Sequence, residues 1–221
     1  MEINFESTFE EIKDKLGIVC ESDADAAALI FAADRALSIG ARALAARPDA
    51  VPTLWAWLEK TNIEIFTDFS YSGKDSDFPR LSAQINAALK KGANGAHLFA
   101  HTRDWSELSE FLIPVASDLF FGRKLIMSLD ICDVEPLDWE ILFRLLSQQG
   151  AAGMGLFIEN SEAATGTIYG MLQSMPADFD SEIHVISKDN SFMQIENFWR
   201  LTGKLRPEIL KKTLFFIPMN S

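Results

Sequence analysis

Eight short apolar runs, each parted from the next by a helix-forming stretch, limit this 221-residue chain more than any other feature. They are Ile18-Val19-Cys20, Ala41 to Ala46, Asn62 to Phe69, the run inside Gly92–His101 (GANGAHLFAH), Lys124 to Asp130, Ala152 to Ile158, Glu182 to Ser187 and Thr213 to Ile217. Strict alternation with helices and near-continuous apolar strands mean parallel strands covered on their outer face. Eight such units favour an α/β chain closed into a (β/α)8 TIM barrel, one domain over residues 1–221. An open doubly wound sheet would place a glycine-rich phosphate loop after the first strand, where Glu21-Ser22-Asp23 stand instead.

The punctuation between strands agrees with this reading. Ser22, Asp23 and Asp25 cap a helix to Ile39 that Gly40 stops, and Pro52 and Pro79 open two more. Pro114 is expected to kink the helix begun by Asp104 and Glu107. A helix spans Leu137 to Gln149, Ser161-Glu162 open another to Met175, and Ser191 with Gln194 forms a capping box. Trp55, Trp57, Phe198 and Trp199 fall at helical spacings that suit packing against strands. No helix follows the eighth strand. A short N-terminal helix, Phe5 to Leu16, is expected to cover that gap or the barrel bottom.

The formal charge of -12 argues against nucleic acid or an anionic membrane as a partner. Met1-Glu2-Ile3-Asn4 lacks the start of a signal peptide, and Ala26 to Ala33 is interrupted by Asp34-Arg35 too soon to span a bilayer. A cytoplasmic protein is the expectation. Cys20 and Cys132 form neither a disulfide framework nor a metal-ligand spacing. Phe120-Phe121 and Phe215-Phe216 are the doublets that suggest an apolar face, and a homodimer suits a barrel of this size.

Working residues of such barrels sit at the C-terminal strand ends. That rule collects Cys20, Glu21, Asp68, His97, His101, Ser128, Asp130, Glu159, His184 and Lys188 around one mouth, with a small molecule as ligand. His97, His184, Asp130 and Glu159 are the catalytic candidates; Asp68, His101, Ser128 and Lys188 are the ligand-binding ones. Asp68 and Asp130 suit either acid–base work or helix capping. Cys20 suits core packing better than nucleophilic attack. His97, His101 and His184 with Glu159 or Asp130 are the donors a metal would use. Their spacing matches no standard motif, so neither metal nor cofactor is expected. Lys188, flanked by Ser187, Asp189 and Asn190, reads as a solvated lysine.

Three stretches of the middle half, ARPDAVPTLWAWLEKTNIEIFTDF, INAALKKGANGAHLF and LLSQQGAAGMGLF, resemble the deoxyribose-phosphate aldolase family of class I aldolases. The resemblance implies a barrel lyase that forms an imine with a lysine. At the matching positions, however, His97 stands for the family's catalytic aspartate, Gly155 for its Schiff-base lysine and His184 for its second lysine. Ser187-Lys188 replaces the phosphate-binding Gly-Gly. Without a lysine amine there is no imine to act as electron sink. Two readings follow. One is a divergent aldolase-like lyase acting on a small carbonyl or sugar-like substrate without a Schiff-base lysine. The other is a catalytically silent aldolase-like barrel that binds a ligand or a protein partner. The first expects His97 and His184 in one cavity at the C-terminal end of the barrel.

Overall fold

The computed structural model describes residues 10–73, 77–101, 104, 107–110, 112, 115, 119, 122–159, 161–188 and 192–219. The strands are β1 (Leu16–Val19), β2 (Ala43–Ala46), β3 (Glu64–Tyr71), β4 (Gly95–Ala100), β5 (Lys124–Asp130), β6 (Gly153–Ile158), β7 (Glu182–Ser187) and β8 (Thr213–Pro218). All pair in parallel in chain order, and β8 returns to β1 to close the barrel. Among the described residues, no helix is long and apolar enough to cross a membrane.

Outside lie α1 (Ala26–Ile39), α2 (Val51–Leu58), α3 (Phe78–Lys90), α4 (Asp138–Gln149), α5 (Glu162–Ser174) and α6 (Met193–Leu205); residues 107–110 between β4 and β5 are also helical. Their ends follow local chemistry. Asp25 accepts from the Ala28 amide at 2.9 Å, Asp77 from Arg80, and Ser161 from Ala164. Gly40 takes the left-handed conformation that ends α1. Each helix buries one stripe on the sheet, and in α2 that stripe is Val51, Leu54 and Leu58.

Several expectations are corrected by this stripe logic. Trp55 and Trp57 lie off the inner face of α2 and are exposed, Trp57 donating to Asp34. Phe215 and Phe216 are both fully buried, one against the helices and the other inside the barrel, so the doublet makes no exposed face. Leu16 begins β1 and is not helical. The segment before it does cover the seam, because Ile12 is buried and Glu11 accepts from Trp199 of α6. Gln194 accepts from Ser187 at 3.0 Å. Phe5 to Phe9, Pro114, Phe120-Phe121 and Ser191 lie outside the described residues.

Candidate functional site

Side chains of a strand alternate, so one phase of each strand fills the barrel interior. The register sets Glu64, Phe66 and Asp68 of β3 beside a matching phase of β4 carrying Gly95, His97 and Phe99. Lys124, Ile126, Ser128 and Asp130 of β5 follow, then Gly153, Gly155 and Phe157, then Glu182, His184 and Ile186. Small residues admit large ones: a side chain on Gly17 would stand 2.7 Å from the Phe216 ring, which lies flat across that glycine.

Three polar levels result. At the N-terminal foot, Lys124 Nζ bonds Glu64 at 3.0 Å and Glu182 at 2.9 Å. Burial alone would raise the Glu182 carboxyl, but the neighbouring His184 ring and the Lys124 ammonium outweigh it and hold the group at about 2. Burial likewise pulls Lys124 down, and the two carboxylates more than reverse that.

The middle level contains both histidines. His97 Nε2 meets His184 Nδ1 at 2.8 Å, and His97 Nδ1 meets Asp68 Oδ1 at 3.0 Å. His184 Nε2 lies 3.4 Å from Glu182 Oε2. Phe66 stacks on His97 at 5.0 Å with an 8° interplanar angle, and Phe216 packs against both imidazoles. Burial pushes the His184 imidazole down to about 4, so the ring is neutral at pH 7.

At the C-terminal rim, Lys188 pairs with Asp130 and lies 3.8 Å from Glu159. Desolvation lowers the Lys188 ammonium, but Asp130 and then Glu159 reverse the effect and leave it raised. The other Asp130 oxygen caps the turn Ile131–Asp133 through the Cys132 amide. Cys132 Sγ is 3.8 Å from Glu159.

The two histidines therefore face each other inside the barrel, as their strand phase requires. They are 1% and 0% exposed, packed against Phe66 and Phe216 in the closed interior and not lining an open cavity at the mouth. Asp68, with its side chain 32% exposed, is the member of that chain that reaches the mouth. Asp130, Glu159 and Lys188 gather at the rim, Lys188 in an ion-paired cluster and not simply solvated. His101 lies exposed just beyond β4. Ser128 is fully buried where Phe99 and Phe157 meet across β5, their centroids 4.2 Å apart, and is not open to the mouth. Its Oγ has no hydrogen-bond partner among the described residues. Cys20 is buried, and desolvation followed by the Asp68 charge pushes its thiol up to about 12, which suits packing. No group of three His, Cys, Asp or Glu side chains among the described residues is placed to hold a metal ion.

Sequence reasoning missed Glu64, Lys124 and Glu182. The signal was present in the alternation, because Lys124 shares a phase with Ser128 and Glu182 with His184.

No protein-family model and no curated protein matches the chain. Solved structures do. An apo-form structure of a Toxoplasma gondii protein assigned as a deoxyribose-phosphate aldolase superposes with a TM-score of 0.76 at 13% identity, over 97% of this chain and 93% of that one. The barrel is built like a deoxyribose-phosphate aldolase. The Aeropyrum pernix deoxyribose-phosphate aldolase, described as a tetramer, gives 0.71 at 11% identity over 94% and 86%. A Coccidioides immitis protein with the same assignment gives 0.70 at 13% over 86% and 78%. At these identities the likeness is one of fold: an aldolase-like TIM barrel.

Proposed function

We propose that this barrel acts on a small carbonyl or sugar-like substrate by proton transfer, as a lyase that makes no Schiff base. The observation that carries the reading is the Asp68–His97–His184 chain, a carboxylate at the mouth backed by two hydrogen-bonded imidazoles. A mouth carboxylate coupled to an imidazole is equipped to take a hydroxyl proton and to return one. Lys188 stands just beyond the end of β7, the strand across the barrel from β3. Held protonated by Asp130 and Glu159, it suits a substrate oxygen gaining negative charge and does not suit imine formation.

In the reaction so envisaged, a β-hydroxycarbonyl compound spans the mouth. Asp68 accepts the hydroxyl proton, the carbon–carbon bond breaks, and its electron pair moves into an enolate whose oxygen faces Lys188. Return of a proton to carbon completes the cleavage. Asp130 and Glu159 position the ammonium, and His101 lies at the rim where it can meet the substrate.

The test is proton NMR in deuterium oxide with a panel of small aldehydes, ketones and hydroxyaldehydes, with borohydride reduction in parallel. Cleavage or deuterium incorporation beside the carbonyl is expected, abolished in Asp68→Asn, with no covalent adduct on Lys188. An adduct would overturn the non-covalent mechanism. Binding of panel members without any exchange would favour the second reading, a catalytically silent barrel. The burial of both histidines, packed against Phe66 and Phe216, supports that alternative.

A further inference from the structure

We propose that the barrel core is a proton wire, in which a proton taken up at Glu182 on the N-terminal face is matched by one released to Asp68 at the mouth. As a route for catalytic protons this rests on the acid–base reading of Asp68. As a property of the core it is measured without substrate.

The core holds fewer hydrogens than it has contacts to fill. Three contacts in series, at 3.0, 2.8 and 3.4 Å, join Asp68, His97, His184 and Glu182. Each contact needs one hydrogen, and ionised carboxylates at both ends supply none. With one N–H on each ring, one contact must lack its hydrogen; a second hydrogen on His97 would fill all three contacts and overturn the wire. The lengths say which. With both rings protonated on Nδ1, His97 donates to Asp68 and His184 donates to His97. The 3.4 Å contact to Glu182 is then the one left unmade; these positions are assigned from the network.

The alternative arrangement has both rings protonated on Nε2, with the contact to Asp68 unmade. Converting the first into the second takes one proton onto His184 Nε2 from Glu182. One proton then passes from His184 Nδ1 to His97 Nε2, and one leaves His97 Nδ1 for Asp68. The core begins and ends with two ring protons, so its charge is unchanged. The lower carboxylate has a source of protons. Glu182 is 35% exposed at the side chain and opens on a cleft of about 400 Å³, which Lys15, Arg42, Lys124 and Lys212 also line.

The charged or titratable groups facing the histidine pair are Asp68 and Glu64 from β3, Lys124 from β5 and Glu182 from β7. The remaining walls are Phe66, Phe216 and the small residues of β1, β2 and β6. No water-filled side path is needed, because the links are direct.

Nitrogen-15 NMR of the histidine rings decides the matter, and the chain has only three histidines. At pH 7, His97 and His184 are expected to carry their hydrogen on the same ring nitrogen, Nδ1 by the contact lengths, while exposed His101 serves as the internal reference. Glu182→Gln cannot relay a proton and is expected to slow exchange of the ring hydrogens with solvent by about tenfold or more. Asp180→Asn, which alters cleft charge at an exposed site paired with Lys212, is expected to leave the rate unchanged. Lys124→Met makes Glu182 a better base and is expected to speed exchange, and it carries the test together with the unsubstituted protein if Glu182→Gln does not fold. His97 protonated on Nδ1 with His184 protonated on Nε2 would leave the central contact empty and overturn the wire. So would exchange rates indifferent to both Glu182→Gln and Lys124→Met. Turnover without these signatures would remove the wire and leave the proposed function standing; the signatures without turnover would do the reverse.

Discussion

Replacing Gly155 with alanine tests whether the position that the resemblance matches to an aldolase's lysine is vacant or sealed. A β-carbon there would stand 2.1 Å from Ser128 Oγ, 2.8 Å from Ser128 Cβ and 3.2 Å from its Cα. Rotating the serine removes only the first clash, so β5 and β6 must part. Overpacking of this kind costs about 1–3 kcal/mol, and contact with a Cβ puts Gly155→Ala near the upper end, about 3 kcal/mol. Ser128→Gly alone costs about 1 kcal/mol, chiefly through strand entropy. If the sites were independent the double variant would lose about 4 kcal/mol; if they compete for one space it loses about 1 kcal/mol, a coupling far above the scatter of additive pairs. At this chain length 3 kcal/mol corresponds to a fall in Tm of roughly 6–12 °C. Urea titrations followed by circular dichroism, with thermal melts beside them, give all four corners of the cycle. A Gly155→Ala protein within about 0.5 kcal/mol of the parent, or strict additivity with Ser128→Gly, would refute the reasoning. Confirmation would mean that Gly155→Lys cannot seat a side chain there unless Ser128 is shortened as well.

The pH dependence of stability should be acid-sided. His184 is held at about 4 when folded, against about 6.5 when unfolded, so the unfolded chain binds the extra proton. The stability involved is complete above about pH 6.5 and declines as pH falls toward 4, by an amount on the order of 3 kcal/mol. Urea midpoints at pH 7.5 and 4.5 measure it, and His184→Gln should flatten the slope; an equally steep slope in that variant would contradict the assignment. The thiols should differ sharply. Cys132 is exposed but raised by desolvation and by Glu159 and Asp130, whereas Cys20 is buried. Iodoacetamide at pH 7 should label Cys132 slowly and Cys20 only after denaturation, and Lys188→Met should slow Cys132 further. Peptide mass spectrometry reads both, and native labelling of Cys20 at the Cys132 rate would count against this account.

The barrel was legible because its strands are apolar on both faces, and runs such as KLIMSLD and EIHVIS allow little else. Boundaries slipped where polarity misled: the third apolar run stops at Phe69, yet Ser70 and Tyr71 extend β3 to pair with Phe99 and Ala100. The rim cluster of Asp130, Glu159 and Lys188 was also legible, since strand ends and alternation place it. Depth was not. Whether an inward histidine lines the mouth or the core depends on how neighbouring strands are staggered, and that stagger is absent from any single strand. His97 pairs with Asp68, and His184 with Gly155, only in the assembled register. The same stagger brings Glu64, Lys124 and Glu182 together at the foot, where each alone resembles an ordinary solvated strand start.

The Phe216 ring lying on Gly17 bears on the order in which the chain folds. Seven of the eight strand pairings join consecutive strands. The pairing of β1 with β8 links positions roughly 200 residues apart, and the entropy of closing so long a loop is the largest in the sheet. That seam is expected to zip last, after its neighbours have fixed the curvature it must meet. Until then the two histidines lack one wall and stand in water. Pulse-labelled hydrogen exchange would follow the event directly, with the amides of β1 and β8 gaining protection after those of β3 to β6. Early protection at the seam would mean that closure guides the barrel instead of completing it.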